Sequence, residues 1–220
     1  MINAELMNKT KDSRFNIYYE YLVEQNQLLN LTAITDKEDV YLKHFYDSIQ
    51  ITEYFDFSNQ LVLDIGAGAG FPSVPIYILN PSMKLSIVDG LNKRIDFLKR
   101  LSDKIELKID LIHGRAEELN RLNYFDFVLA RAVAKLNILV EMALPILKLN
   151  GYFIAYKSIN YQEELEEALE GIVFLGGQVE KVIEYDLSEG LKHVYVVIKK
   201  VKPSPKGYPR IYSKIKKSPL

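Results

Sequence analysis

The 220-residue chain contains no cysteine, so disulfides, thiolate zinc sites and a cysteine nucleophile are excluded at the outset. No uninterrupted apolar run approaches the roughly 20 residues of a membrane span. The N-terminus, MINAELMNKTKDSRF, carries no apolar core of the secretory-signal kind. A cytoplasmic, monomeric protein with no membrane partner is the expectation. The third scarcity is local. From Lys199 to Leu220 there are eight Lys and Arg but no Asp or Glu. With a net charge of −1 overall, the rest of the chain holds 20 basic and 29 acidic residues, a net of −9. A basic end on an acidic body suggests a polyanionic partner, the plainer alternative being a solvated terminus.

What is present centres on Gln60–Pro75. At 48% apolar and 26% charged, 220 residues suit one domain with an appendage. Leu61, Val62, Leu63 and Ile65 form an apolar run too short for a helix, followed by glycines at 66, 68 and 70. A buried parallel strand entering a glycine-rich turn and then a helix is how α/β folds cradle a polar cofactor. A dinucleotide fingerprint would place its third glycine at position 71, where Phe71 stands. The observed spacing instead resembles the first motif of class I S-adenosylmethionine-dependent methyltransferases. Asp89 ends the next apolar run, a place from which a carboxylate can accept hydrogen bonds from a ribose diol. A simple turn residue ahead of Gly90 is the alternative.

Residues 3–29 read as one helix, with Phe15, Tyr18, Leu22 and Leu29 along one face. Thr35-Asp36-Lys37-Glu38 has the form of a capping box and is expected to start a helix carrying Val40, His44, Asp47 and Ile51. Strands are expected at 61–65, 84–89, 107–113, 125–130 and 151–156, and helices at 73–79, 93–101 and 136–147. Two late strands near 178–186 and 193–199, joined through Ser188-Glu189-Gly190, suggest a terminal antiparallel hairpin. This alternation indicates an α/β, doubly wound (Rossmann-like), mostly parallel seven-stranded sheet with an N-terminal helical extension. The expected layout is a helical region over 1–56, a cofactor-binding domain over 57–200 and a basic tail over 201–220. Pro203, Pro205 and Pro209 argue against a regular helix in the tail.

Six motifs then follow one another: Asn30-Leu31-Thr32-Ala33-Ile34, Lys43-His44-Phe45-Tyr46-Asp47-Ser48, residues 64–72 (DIGAGAGFP), 89–98 (DGLNKRIDFL), Gly114-Arg115-Ala116-Glu117-Glu118, and 130–136 (ARAVAKL). Together they closely resemble the RsmG (GidB) family, which methylates guanine N7 in small-subunit (16S) ribosomal RNA. The resemblance runs from about Leu28 to Leu220. It implies the class I methyltransferase fold, S-adenosyl-L-methionine as cofactor, and 16S ribosomal RNA or the small ribosomal subunit as partner. By it, Gly66 and Phe71 line the cofactor in a loop completed by Gly68 and Gly70. Ala116 and Glu117 flank the adenine, and Arg131 also lies at the cofactor. Pro209-Arg210 and Pro219-Leu220 fit the family's tail, but the Lys and Gly-x-Pro often found between them are replaced by Ile211-Tyr212-Ser213-Lys214-Ile215.

Methyl transfer from a sulfonium is an in-line displacement on an activated carbon, and alignment alone can supply roughly 7–11 kcal/mol. Attack through pyrimidine C5 usually employs a cysteine, which is missing. The Asp/Asn-Pro-Pro-aromatic element of adenine amino methylation is replaced by Leu129-Ala130-Arg131-Ala132. Guanine N7 offers an in-plane lone pair, so Arg131 and His44 are catalytic candidates as positioning groups with no general base required. Arg131 could hold the cofactor carboxylate, donate to guanine O6, or form a salt bridge to Glu117 or Asp126. His44 is an ordinary helix histidine or a wall of the RNA pocket paired with Asp47, and Phe71 stacks on a ligand or packs under the loop. Candidate RNA contacts are Lys43, Lys93, Arg94 and Lys157 on the body and Arg210, Lys214, Lys216 and Lys217 in the tail, giving salt-dependent affinity for an unstacked base. No metal site is expected. A non-catalytic RNA-binding assembly factor and a nicotinamide-dependent oxidoreductase are the alternatives.

Overall fold

The computed structural model describes residues 3–188 and 190–220; Glu189, in the expected hairpin connection, lies outside the described residues. Helices α1 (Ala4–Lys9), α2 (Ser13–Leu29), α3 (Lys37–Val40) and α4 (Asp47–Ile49) precede β1 (Leu61–Ile65). Then come α5 (Ser73–Leu79), β2 (Lys84–Asp89), α6 (Asn92–Lys104), β3 (Asp110–His113), β4 (Phe125–Arg131), α7 (Leu136–Ala143) and β5 (Leu147–Ser158). The chain closes with α8 (Gln162–Phe174), β6 (Gly177–Ser188), β7 (Leu191–Lys200) and α9 (Tyr212–Lys217). Seven strands form one sheet in the order β3-β2-β1-β4-β5-β7-β6. The first five are parallel, and β7 runs antiparallel between β5 and β6. Ile65 lies between Val88 of β2 and Ala130 of β4. The chain winds outward from β1 in both directions, so a crevice opens beyond its carboxyl end, where such sheets bind ligands.

Alternate strand residues face two apolar layers, the consequence of a period of two along a sheet covered on both sides. One layer joins Val62, Ile87 and Leu129 to the fully buried Phe15, Tyr18 and Leu22 of α2. The other joins Leu63, Val128 and Phe153 to α7, α8 and Ile215 of α9.

Several expectations shift for identifiable reasons. The N-terminal helix divides at Thr10–Asp12, because Asp12 caps α2 by accepting from Arg14 N at 2.9 Å. The next helix is capped by Asp36, which accepts from Asp39 N at 3.1 Å, rather than by Thr35. It continues as a π-helical turn, Tyr41–Tyr46, ahead of α4. β3 starts at Asp110, not 107, since Leu107 N wraps back onto Ser102 O at the end of α6. Pro145 helps stop the helix expected to reach 147, and β5 begins at Leu147. α8 has no counterpart among the expected segments: its apolar stripe of Leu165, Ala168 and Ile172 is diluted by five glutamates. The tail does hold a short helix, α9. Pro203, Pro205 and Pro209 precede it and Pro219 follows it, so none removes a hydrogen bond from it.

Candidate active site

Three cavities meet at the carboxyl edge of the sheet. The first, about 410 Å³, is walled by Gly66, Asp89, Leu91, Arg94, Arg115 and Ala116 among others. The second, about 200 Å³, lies over the glycine loop between Thr32, His44, Phe71 and Arg131. The third, about 440 Å³, is bounded by Asp47, Arg131, Tyr156, Tyr161 and His193. Ala132 lines all three. It sits at φ 56°, a left-handed conformation uncommon for alanine and of the kind found at ligand sites.

The glycine loop is braced from behind by the N-terminal helices. Tyr18 donates to Ala69 O and stacks on Phe71 at 5.4 Å. Gly66 adopts φ +68°, and a Cβ there would lie 3.0 Å from the side chain of Val133 in the wall of the first cavity. Asn26 holds the Leu31–Thr32 turn by accepting from both backbone N–H groups, and Thr32 Oγ1 meets His44 Nε2 at 2.8 Å. The motif around Asn30-Leu31-Thr32 thereby presents His44. The imidazole stacks on Phe71 at 4.6 Å, and the guanidinium of Arg131 lies 5.0 Å from the centre of the same ring. Arg131 Nη2 is 3.4 Å from His44 Nδ1. The same Nδ1 lies 3.2 Å from the carbonyl oxygen of Lys43. Burial, reinforced by the charge of Arg131, lowers the His44 pKa to about 4, so the imidazole is neutral at pH 7.

Asp47 organises the third cavity. Its buried carboxylate accepts from Arg131 at 2.8 Å, from Tyr185 at 2.7 Å and from His193 Nδ1 at 2.7 Å. Burial raises its pKa, but the His193 hydrogen bond and the Arg131 charge outweigh this and hold it below the usual range. With its lone pairs so engaged, Asp47 orients Arg131 and is a poor proton acceptor.

A family model described as rRNA small subunit methyltransferase G (GidB) matches residues 11–193. Ribosomal RNA small subunit methyltransferase G of Staphylococcus carnosus is 48% identical over 97% of this chain and 92% of its own length. The same-named protein of Staphylococcus saprophyticus is 47% identical over 98% and 92%. The chain belongs to this family. In fold it resembles the YcgJ protein of Bacillus subtilis, with TM-score 0.58, 14% identity, and 72% of this chain and 100% of that one covered. It also resembles M. jannaschii TYW2, crystallised with AdoMet, with TM-score 0.59, 14% identity and 79% and 81% covered.

The family's other sequence-predicted residues are distributed unevenly. Gly66, Gly68, Phe71, Asp89, Ala116 and Arg131 line the first or second cavity. Gly70 does not: a Cβ there would meet Tyr18, Val74 and Leu98 within 3.0 Å, so its glycine serves loop packing. Asp89 accepts from Leu91 N at 2.9 Å and, through longer bonds, from Gly68 N and Arg94 at 3.2 and 3.3 Å. Glu117 stands behind Ala116 with both carboxylate oxygens buried and unpartnered, and burial raises its pKa. Glu117 lines none of the three cavities, but its orphaned acceptor, next in sequence to Ala116 in the first cavity's wall, fits a nucleoside bearing an amino group.

Arg131 pairs with Asp47 instead of Glu117 or Asp126, and Asp126 is engaged by Lys148 and Leu61 N. His44 is not hydrogen-bonded to Asp47, because the Asp47 oxygens are taken by Arg131, Tyr185 and His193. Lys157 donates to Ala134 O and Glu164, locking the segment after β4. Lys43 pairs with Asp39, Lys93 with Leu29 O, and Arg210 with Glu141. Lys214, Lys216 and Lys217 are exposed, with no ion pair among the described residues. Sequence reasoning missed His193, Tyr185 and Tyr161, none of which belongs to a recognisable spacing, and gave no role to Ala132 although it lies within the 130–136 motif.

Asp64, fully buried at the end of β1, accepts from Ser73 N at 3.2 Å through one oxygen while the other has no partner. Burial raises its pKa to about 7 from an ordinary 3.8. The folded protein then binds a proton that the unfolded chain has released, so this group's contribution to stability declines as pH rises from about 4 to 7. Asp64→Asn is expected to flatten that slope: between pH 5 and 8 the wild type should lose several degrees of Tm more than the variant. Parallel melting profiles would show the carboxyl ionised throughout.

Proposed function

We propose that this chain transfers the methyl group of S-adenosyl-L-methionine to N7 of a guanine in small-subunit (16S) ribosomal RNA. Membership of the methyltransferase G family supplies the reaction class, and the observation that carries the residue assignment is the meeting of three cavities at Ala132. On this reading the first cavity takes the adenosine of the donor, with Asp89 and Glu117 as acceptors for its hydroxyl and amino groups. The second takes the methionine end, over Gly66, Gly68 and Phe71. The third takes the guanine, between Tyr156, Tyr161 and Arg131. The donor supplies an activated methyl carbon, and the chain's own residues align the acceptor with it.

Arg131 borders both the second and third cavities. Asp47 holds its fork from one side and Phe71 supports its face, so it is pre-aimed and costs no reorganisation during reaction. An arginine in that position donates to the O6 edge of guanine beside N7. No base is needed, since N7 loses no proton. That agrees with a neutral His44 and with an Asp47 that already accepts from Arg131, Tyr185 and His193. N7 methylation leaves the guanine ring cationic, and the Asp47 carboxylate lies at the wall where that charge appears. Initial attraction of RNA falls to Lys214, Lys216 and Lys217, with Lys43, Lys93 and Arg94 nearer the site. A monomer acting in the cytoplasm, where it meets ribosomal RNA, is part of the same proposal; among the described residues no helix is long and apolar enough to cross a membrane.

The test is methylation of small subunits, and of their naked RNA, from cells lacking the protein, with the labelled position mapped by cleavage chemistry specific for N7-methylguanine. One modified guanine is expected. Label on a base other than guanine, or on none, would overturn the assignment.

A further inference from the structure

The wall of the first cavity is built from strand ends, the segments that follow them, Arg94 of α6 and Met142 of α7, together with one residue from the far end of the chain. Tyr212, the first residue of α9, lines it together with Asp89, Leu91, Arg94, Arg115 and Ala116. The ring is half-buried. The guanidinium carbon of Arg115 lies 4.4 Å from its centroid, a distance at which the cation and the ring face attract. Arg115 itself precedes the turn Ala116–Glu118 that closes the same cavity.

The short helix carrying Tyr212 is pinned on both sides of that residue. Two positions before it, Arg210 donates from its backbone N, Nε and Nη2 to the buried carboxylate of Glu141 on α7, at 2.9, 2.7 and 2.6 Å. Three positions after it, Ile215 is fully buried in the second apolar layer. An aromatic ring held this firmly at a cavity edge, with one face against a guanidinium, has little conformational freedom left to lose on binding a planar group. Tyr212 also lies within the segment 211–215 where the tail departs from the pattern its family often carries.

We propose that Tyr212 is a positioning residue of the donor site, packing its ring against the adenosine of S-adenosylmethionine so that the C-terminal segment forms the outer wall of the nucleoside pocket. The proposal rests on assigning the first cavity to adenosine. It gives the tail a task besides attracting RNA: removing the segment would open the donor pocket as well as remove positive charge.

Calorimetric titration of the full chain with S-adenosylhomocysteine and with 5′-methylthioadenosine, which lacks the amino-acid end, separates the possibilities. Base–aromatic stacking at its usual strength corresponds to a loss of about five- to hundredfold in affinity when the ring is removed. Tyr212→Ala should show that loss toward both ligands, with an unchanged Tm because Ile215 and Arg210 still anchor the helix. Tyr212→Phe, which keeps the ring, should bind within about threefold of the wild type. Wild-type affinity in Tyr212→Ala would overturn the proposal. So would a loss toward S-adenosylhomocysteine alone, which would put the ring at the amino-acid end, or a loss in Tyr212→Phe equal to that in Tyr212→Ala. A wild-type chain that binds neither ligand would instead overturn the cavity assignment on which the proposal stands.

Discussion

Arg131→Ala is expected to reduce methyl transfer by about two to three orders of magnitude, the usual consequence of deleting a preorganised donor at a reacting centre. The guanidinium reaches two cavities, rests on the Phe71 ring at 5.0 Å and is held by Asp47 at 2.8 Å. Arg131→Lys should recover little, because an ammonium keeps the charge but loses the fork that spans Asp47 and an acceptor edge. The substitution also leaves Asp47 beside only neutral donors or His193, so some stability will go with it. Measuring kcat well below the variant's Tm, with donor affinity measured in parallel, separates the two effects. A folded Arg131→Ala protein that retains a tenth or more of wild-type kcat would remove Arg131 from the reacting centre.

The second large effect lies outside the site. Arg210→Ala is expected to destabilise the fold by about 3–5 kcal/mol, the cost of leaving a buried carboxylate uncompensated. Glu141 is fully buried, and its two oxygens accept three hydrogen bonds from Arg210; the backbone donor survives the substitution, so the lower end of that range applies. At this chain length each kcal/mol shifts Tm by about 2–4 °C, which places the fall on the order of 6–12 °C. Glu141→Leu combined with Arg210→Met should restore much of it, since apolar replacement of a buried pair is often close to neutral. A drop of less than about 2 °C in Arg210→Ala would mean that this ion pair does not hold the tail to the body. This result bears on how the basic end is understood. Of its eight cations, Arg210 holds the tail to the body, and Lys200 is buried with its ammonium on Leu144 O at 2.6 Å. Such groups cannot act as mobile countercharges to a phosphate. The exposed charge is divided between Lys202 and Lys206 ahead of α9 and Lys214, Lys216 and Lys217 on it.

Local pattern was enough to read the centre of this molecule. The strands 61–65 and 84–89 and the helix 73–79 stand where the sequence put them, because buried parallel strands are short, continuously apolar and bounded by glycine or charge. The glycine loop, Asp89 and Arg131 could be named from the chain alone, since each lies at or just past the end of a recognisable strand. Where a weaker local signal met a stronger contact, the contact decided: Asp12 splits the first helix, and the glutamates of α8 hide a stripe that only its neighbours make visible. The pairing of charges could not be read at all. Arg131 had several acids within reach of the imagination, and it finds Asp47 because the strand order β4-β5-β7-β6 carries His193 and Tyr185 to the same carboxylate from the far end of the chain. Tyr212 reaches the first cavity for a similar reason, an ion pair between Arg210 and the buried Glu141, 69 residues apart in sequence. The sequence by itself determined the fold class, the family and the cofactor loop, all written in contiguous residues. The tertiary structure alone decided which groups meet around Ala132, because those meetings depend on burial and long-range strand order, which no short stretch of sequence encodes.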